Sequence, residues 1–270
     1  METPVLQHRV DLVAVLLAKE FKVRYKNTFL GYAWSLVHPL LFAGVFVLVF
    51  SWLIRDVGRL RVPYALLVIS ALFPWQWFLN SVTASNHFFL GNASLIKKVR
   101  FPRSLLVFSA VLSDLVHFVI SVPVVAAFCL WYHFRPAAGL EAVQLPSAHW
   151  VWQVPLLVAV QFAMTYGLSL IVATANLFFR DLERLTGILM QLWFFLTPVI
   201  YPPELLVKSG CPWMLDVNPL AWLIGCWREV FLRGTMPWGY LGMSTVFAAV
   251  VLAIGHTVYR KLEWRFAEVV

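Results

Sequence analysis

The chain has 270 residues, of which 61% are apolar and only 13% charged, with a mean hydropathy of +0.79. A soluble domain carries about 25% charged residues, so this composition excludes a soluble globular protein and fits an integral membrane protein. The net charge of +8 is gathered in clumps between long uncharged runs, where Lys and Arg set orientation, and it reads as topology rather than as nucleic-acid binding.

Residues 8–26 predict an amphipathic helix in the membrane interface. Val10, Val13, Leu17 and Phe21 share one stripe, and Lys19, Lys22 and Lys26 stand nearly opposite. Those lysines would face anionic headgroups or a cytoplasmic partner. So many charges ahead of the first apolar run do not fit a cleavable signal peptide.

Uncharged runs follow at 29–54, 62–85, 142–179, 185–203 and 236–259, and the run 104–134 is interrupted only by Asp114. Each holds at least about the 20 residues that cross a bilayer as a helix, 185–203 only just. Alternating ten-residue barrel strands are not seen. The fold expected is all-α, six transmembrane helices in one membrane domain over 1–270. The shorter run 217–227 reads as interfacial or re-entrant. An even number of spans puts both termini on one side. That side holds most of the 21 Lys and Arg: the N-terminal group, Lys97, Lys98, Arg100 and Arg103, then Arg180 and Arg184, then Arg260, Lys261 and Arg265. Both termini are therefore expected in the cytoplasm.

Asp114 stands one helical turn from His117 inside a predicted span. A proton relay there is conceivable, but a pairing of the two, or Asp114 reaching the headgroups, is the reading preferred. Cys211 and Cys226 both fall on the expected outer side, where a disulfide and two free thiols are both open. No metal-ligand cluster, no P-loop and no G-x-S-x-G elbow stands in the sequence. An energy source on another subunit is implied.

The stretches "FKVRYKNTFLGYAWSLVHPLLFAGVFVLVF" (21–50), "NASLIKKVRFPRSLLVFSAVLSDLVHFVIS" (92–121) and "ANLFFRDLERLTGILMQLWFFLTPVIYPPE" (175–204) resemble the three signature blocks of ABC type-2 permeases. The nearest group is the exporters of O-antigen, capsule and teichoic acid. One departure is His38, where Asn before Pro39 is the pattern. The resemblance implies a homodimer in the bacterial inner membrane that binds two copies of a separate ATPase. ATP and Mg would sit on that ATPase, with no cofactor on this chain. The substrate implied is an undecaprenyl-linked glycan, passed between the two copies. The loop 86–103 would carry the coupling helix, with Asn92, Lys97, Lys98, Arg100 and Arg103 contacting the ATPase, lipid phosphates or the carrier pyrophosphate. Residues 204–235 would form re-entrant gate helices on the outer side.

Physical readings accompany these blocks. Gly31 permits close helix approach and Pro39 a kink. Arg180, Asp181 and Glu183 suit local ion pairs. In the fifth span Met190, Trp193, Phe194, Thr197 and Tyr201 share a face at 100° per residue, with Pro198 bending the helix near that level, while Phe195 points elsewhere. Aromatic rings pack on the apolar faces of sugars, so this face is a candidate channel lining; ordinary helix packing is the alternative. Two other functions remain on the table: a permease of the same superfamily moving a drug or lipid, and a membrane-embedded transferase. The second needs clustered acids or histidines, and only Asp114 with His117 offers any.

Overall fold

In lipid the backbone must satisfy its own polar groups, which leaves helices as the economical answer for apolar runs such as these. The computed structural model describes residues 3–25, 31–53, 62–99, 101–135, 143, 145–146 and 148–266. Among them the structure is all helical, without a strand. The order is α1 (Thr3–Tyr25), α2 (Trp34–Leu53), α3 (Tyr64–Ala84), α4 (Phe88–Gly91), α5 (Ala93–Lys98), α6 (Ser104–Phe134), α7 (Trp150–Phe178), α8 (Leu182–Leu196), α9 (Glu204–Lys208), α10 (Trp213–Val217), α11 (Pro219–Arg233) and α12 (Trp238–Leu262).

Four helical stretches are long and apolar enough to cross a membrane: Tyr64–Gly91, Ser104–Phe134, Trp150–Phe178 and Trp238–Arg265. They answer to four of the six expected runs. The run 29–54 gives α2, whose described apolar part is Leu36–Val49. The run 185–203 departs most. Its helix, α8, has 15 residues and stops at Leu196, with Thr197 extended at φ −97°, ψ 133°. Pro198 is the cause: its ring disfavours a helical Thr197, and it has no N–H to continue the ladder.

The first helix is present, and most of the expected stripe faces the bundle: Val13, Leu17 and Phe21 are half-buried, with Phe21 edge-on to His117 of α6 at 5.3 Å. Leu16 is buried and Leu12 packs beside it, in a cluster with Leu106, Val107 and Ala110 of α6, whereas Val10 is 61% exposed. Lys19, exposed on the other side, reaches Asn92 Oδ1. Lys22 is exposed, and Lys26 lies outside the described residues.

Two apolar clusters hold the bundle. The larger is built from α3 with the inner faces of α6, α7 and α11, around Trp75, Phe78, Trp227 and Phe231. The smaller gathers Leu16, Phe89, Ile96, Leu170, Tyr259 and Phe266, so it joins α1, α4, α5 and the ends of α7 and α12. Helices α7 and α12 cross at Gly167 and Gly255. A Cβ on Gly255 would lie 2.3 Å from the Gly167 carbonyl oxygen, and one on Gly167 2.7 Å from the Leu252 Cα. Only glycine allows backbones to come this close. Gly31 does something other than expected: nothing lies within 4 Å of a Cβ there, and its φ of +49° shows that it serves a left-handed turn rather than a close helix contact.

Candidate functional site

The aromatic face of α8 is turned into the chain's own core. Met190 and Phe194 are buried and Trp193 half-buried. Phe194 packs on Trp75 of α3 at 5.5 Å and on Phe46 and Phe42 of α2 at 6.2 and 6.3 Å. Trp193 stands edge-on to Phe78 at 5.8 Å. Because α8 ends at Leu196, Thr197 and Tyr201 are not on the helix; they belong to the bend beyond it. Within one chain, then, this is a packing face, made of flat rings that fill the groove between α2 and α3. The side that α8 exposes carries Leu185, Ile188, Leu189, Leu192, Phe195 and Leu196.

The bend after α8 is held by polar side chains from other elements. Asn218 is the hub at its start. Its Oδ1 accepts from Trp193 Nε1 at 2.9 Å and from the Leu220 and Ala221 amides, and its Nδ2 donates to the Leu196 carbonyl and to Thr197 Oγ1. One side chain thus closes α8 and caps α11, with Pro219 in the first helical position. Further along, Arg228 Nη2 donates to the Val199 carbonyl at 2.8 Å and its Nε to the Leu67 carbonyl at 3.4 Å. Tyr64 donates to the Ile200 carbonyl at 2.6 Å, and Tyr201 to the Phe195 carbonyl at 2.8 Å. Nearby, Gln161 joins three helices: its Nε2 donates to the Pro74 carbonyl of α3 and its Oε1 accepts from Trp227 Nε1 of α11.

The basic segment after α4 divides into two kinds of residue. Lys97 and Lys98, in the last turn of α5, are exposed. Asn92 and Arg103 are engaged inside the chain and therefore are not free contacts. Asn92 is buried, donates to the Phe88 carbonyl at 2.8 Å and accepts from Lys19. Arg103 donates to the Glu263 carbonyl at 2.6 Å and lies 5.8 Å over the Phe266 ring. The Ser104 amide donates to the Tyr259 hydroxyl at 3.0 Å. The segment is so braced from α1 on one side and from the end of α12 on the other. Arg100 lies outside the described residues.

Asp114 is 2% exposed, and its Oδ2 accepts from Ser81 Oγ at 2.8 Å. It is held between α6 and α3 and does not reach out toward headgroups. With His117, Gln76, Trp77, Asn80 and Pro39 it lines a small cleft. Glu183 lies 3.5 Å from His87, at the far end of α3's extension, rather than in a purely local ion pair. All three cysteines are free thiols; Cys226 is fully buried on α11, and Cys211 is half-buried between α9 and α10. Among the described residues no group of three or more His, Cys, Asp or Glu could hold a metal ion.

Sequence reasoning missed Arg228, Tyr64 and Asn218. The Asn218–Pro219 pair ahead of an apolar run is a helix-start signal that was available. Arg228 offered none, since it read simply as the charge that ended a short apolar run.

Comparison with known proteins agrees with this architecture. The profile of the ABC-2 type transporter family matches residues 11–232. The O-antigen export system permease protein RfbA of Klebsiella pneumoniae is 38% identical over 265 residues, covering 98% of this chain and 96% of its own. The protein of the same name from Myxococcus xanthus is 31% identical, over 97% and 96% of the two chains. The polysialic acid transport protein KpsM of Escherichia coli is 22% identical over 93% of each. With its apolar spans, its family match and its end-to-end similarity to these permeases, the chain is a multi-pass membrane protein that belongs to the ABC-2 type transporter family.

Proposed function

We propose that this chain is the transmembrane subunit of an ATP-driven exporter that moves a lipid-linked, O-antigen-like polysaccharide across the bacterial inner membrane. Two copies form the path and each engages one copy of a separate ATPase, which carries ATP and Mg. The observation that carries the reading is the end-to-end similarity to permeases named for O-antigen export, at 38% identity over 98% of the chain. Two features of the fold support it. The exposed apolar sides of α2 and α8 suit lipid or a second copy rather than water. The exposed Lys97 and Lys98 sit on a braced segment suited to receive a push from an ATPase. Six crossings result when α2 and α8 are added to the four long helices. The undecaprenyl carrier belongs to the same reading, its pyrophosphate being a partner for the basic segment. The aromatic face of α8 would then shape the path from behind, by fixing how its exposed side meets the second copy.

The test is export itself. In a strain lacking its own O-antigen permease, this chain produced with its ATPase is expected to bring glycan to the cell surface. An ATPase variant that binds but cannot hydrolyse ATP should leave the lipid-linked glycan inside. Glycan retained inside despite a co-purifying, active ATPase would move the assignment to a drug or lipid substrate.

Orientation is checked separately. A reporter active only in the cytoplasm should work when fused after Val270 and fail when inserted within 205–215. The reverse pattern would overturn the charge-based topology.

A further inference from the structure

The stretch 197–200 is neither helical nor loose. Val199 is fully buried and Ile200 is 5% exposed, yet their carbonyls have left the helical ladder. Bare carbonyls at membrane depth are costly, and here two side chains from separate helices satisfy them: Arg228 of α11 for Val199, and Tyr64 of α3 for Ile200. Arg228 also donates to the Leu67 carbonyl, which ties the bend to α3.

An arginine is an unusual choice for this task. It is 6% exposed; its hydrogen bonds go to backbone carbonyls, and the Glu204 carboxylate acts on it only through space. A guanidinium is strongly stabilised inside protein by a bidentate carboxylate; with Glu204 acting on it only from a distance, part of its desolvation cost stands. That cost is returned when water enters. An apolar residue of similar length would pack the junction with no such pull toward opening, and charged groups within membrane domains are functional by default.

We propose that Arg228 and Tyr64 latch the 197–200 segment against α3 at the exit of the translocation path, and that release of the Val199 and Ile200 carbonyls opens that exit. Arg228 is a positioning residue in this scheme: it holds the gate and does not touch the glycan. The inference rests on the exporter reading for its meaning, but its test needs no glycan.

Two single-cysteine chains are made, one with Val199→Cys and the native thiols replaced, the other keeping only the buried Cys129. Both are labelled in spheroplasts with a membrane-impermeant maleimide. With Arg228 and Tyr64 intact both thiols should react slowly. Arg228→Gln is expected to raise labelling at position 199 about ten-fold and Tyr64→Phe roughly three-fold, as loss of a charged and of a neutral hydrogen bond would. Cys129 should keep its rate. Unchanged labelling at 199 in Tyr64→Phe at normal protein levels overturns the latch, and that variant decides alone if Arg228→Gln does not accumulate. A parallel rise at Cys129 means general loosening and also overturns it. The same ratios seen only in inverted vesicles would uphold the latch and reverse the orientation. Failed export by the native chain would sink the exporter reading while leaving these rates interpretable.

Discussion

Alanine at Gly255 is expected to lower the thermal midpoint of the detergent-solubilised protein markedly, while alanine at Gly242 on the same helix leaves it unchanged. The two substitutions add the same methyl group to α12. At Gly242 nothing lies within 4 Å of it, whereas at Gly255 it would sit 2.3 Å from the Gly167 carbonyl oxygen. That neighbour is backbone, so no rotamer change makes room; α7 and α12 must separate along their crossing. Overpacking of this kind costs about 1–3 kcal/mol and sometimes more. Gly167→Ala should behave alike, with its Cβ 2.7 Å from the Leu252 Cα. Because both act on one contact, the double variant should lose less than the sum. Equal midpoints for Gly255→Ala and Gly242→Ala would show that the crossing is looser than described.

Reversing Lys97 and Lys98 to Glu together should abolish most export while the chain still inserts and keeps its stability. Both side chains are exposed at the end of α5, so the fold loses nothing by the change, but any docking surface formed there meets the opposite sign. Arg103→Glu should differ in kind. It breaks the bond to the Glu263 carbonyl and the contact with Phe266, so stability should fall along with export. Since these charges also help to set topology, insertion is checked by labelling of the outer loops. ATP hydrolysis by the purified complex is then compared with export. Wild-type export from a correctly inserted double variant would remove the docking role of α5.

The long helices were legible because hydropathy over 20 or more residues needs no knowledge of partners; α3, α6, α7 and α12 all come from such runs. The end of α8 was harder to see. Pro198 predicted a bend at that level, yet a hydropathy count weighs composition and does not say that the helix ends there rather than bends. Periodicity found the face of Met190, Trp193 and Phe194 correctly as a face, but could not say whether it looks onto a channel or onto α2 and α3. The same limit applies to α1, where several apolar residues compete and α6 selects Leu12 and Leu16. Contacts such as Arg103 with Glu263, 160 residues apart, or Gly167 with Gly255, leave no local trace at all. Among the site residues, Lys97 and Lys98 were legible as exposed charge, whereas the inward engagement of Asn92 and Arg103 depended on distant chain.

The bracing of the basic segment has a bearing on the order in which the molecule is finished during synthesis. Helix α5 emerges from the ribosome early, but one of its two braces comes last. Phe266 packs 4.8 Å from Phe89, and the Tyr259 hydroxyl receives the Ser104 amide across 155 residues of chain. Until those residues are made, the segment bearing Lys97 and Lys98 is braced from α1 alone, and the closing of the smaller apolar cluster waits for the final turns of α12. Domains generally form from the N-terminal side as they are synthesised; here the basic segment is an exception, completed by the end of the chain. A nascent or truncated copy that stops short of Tyr259 would carry the same lysines on a helix braced from one side only.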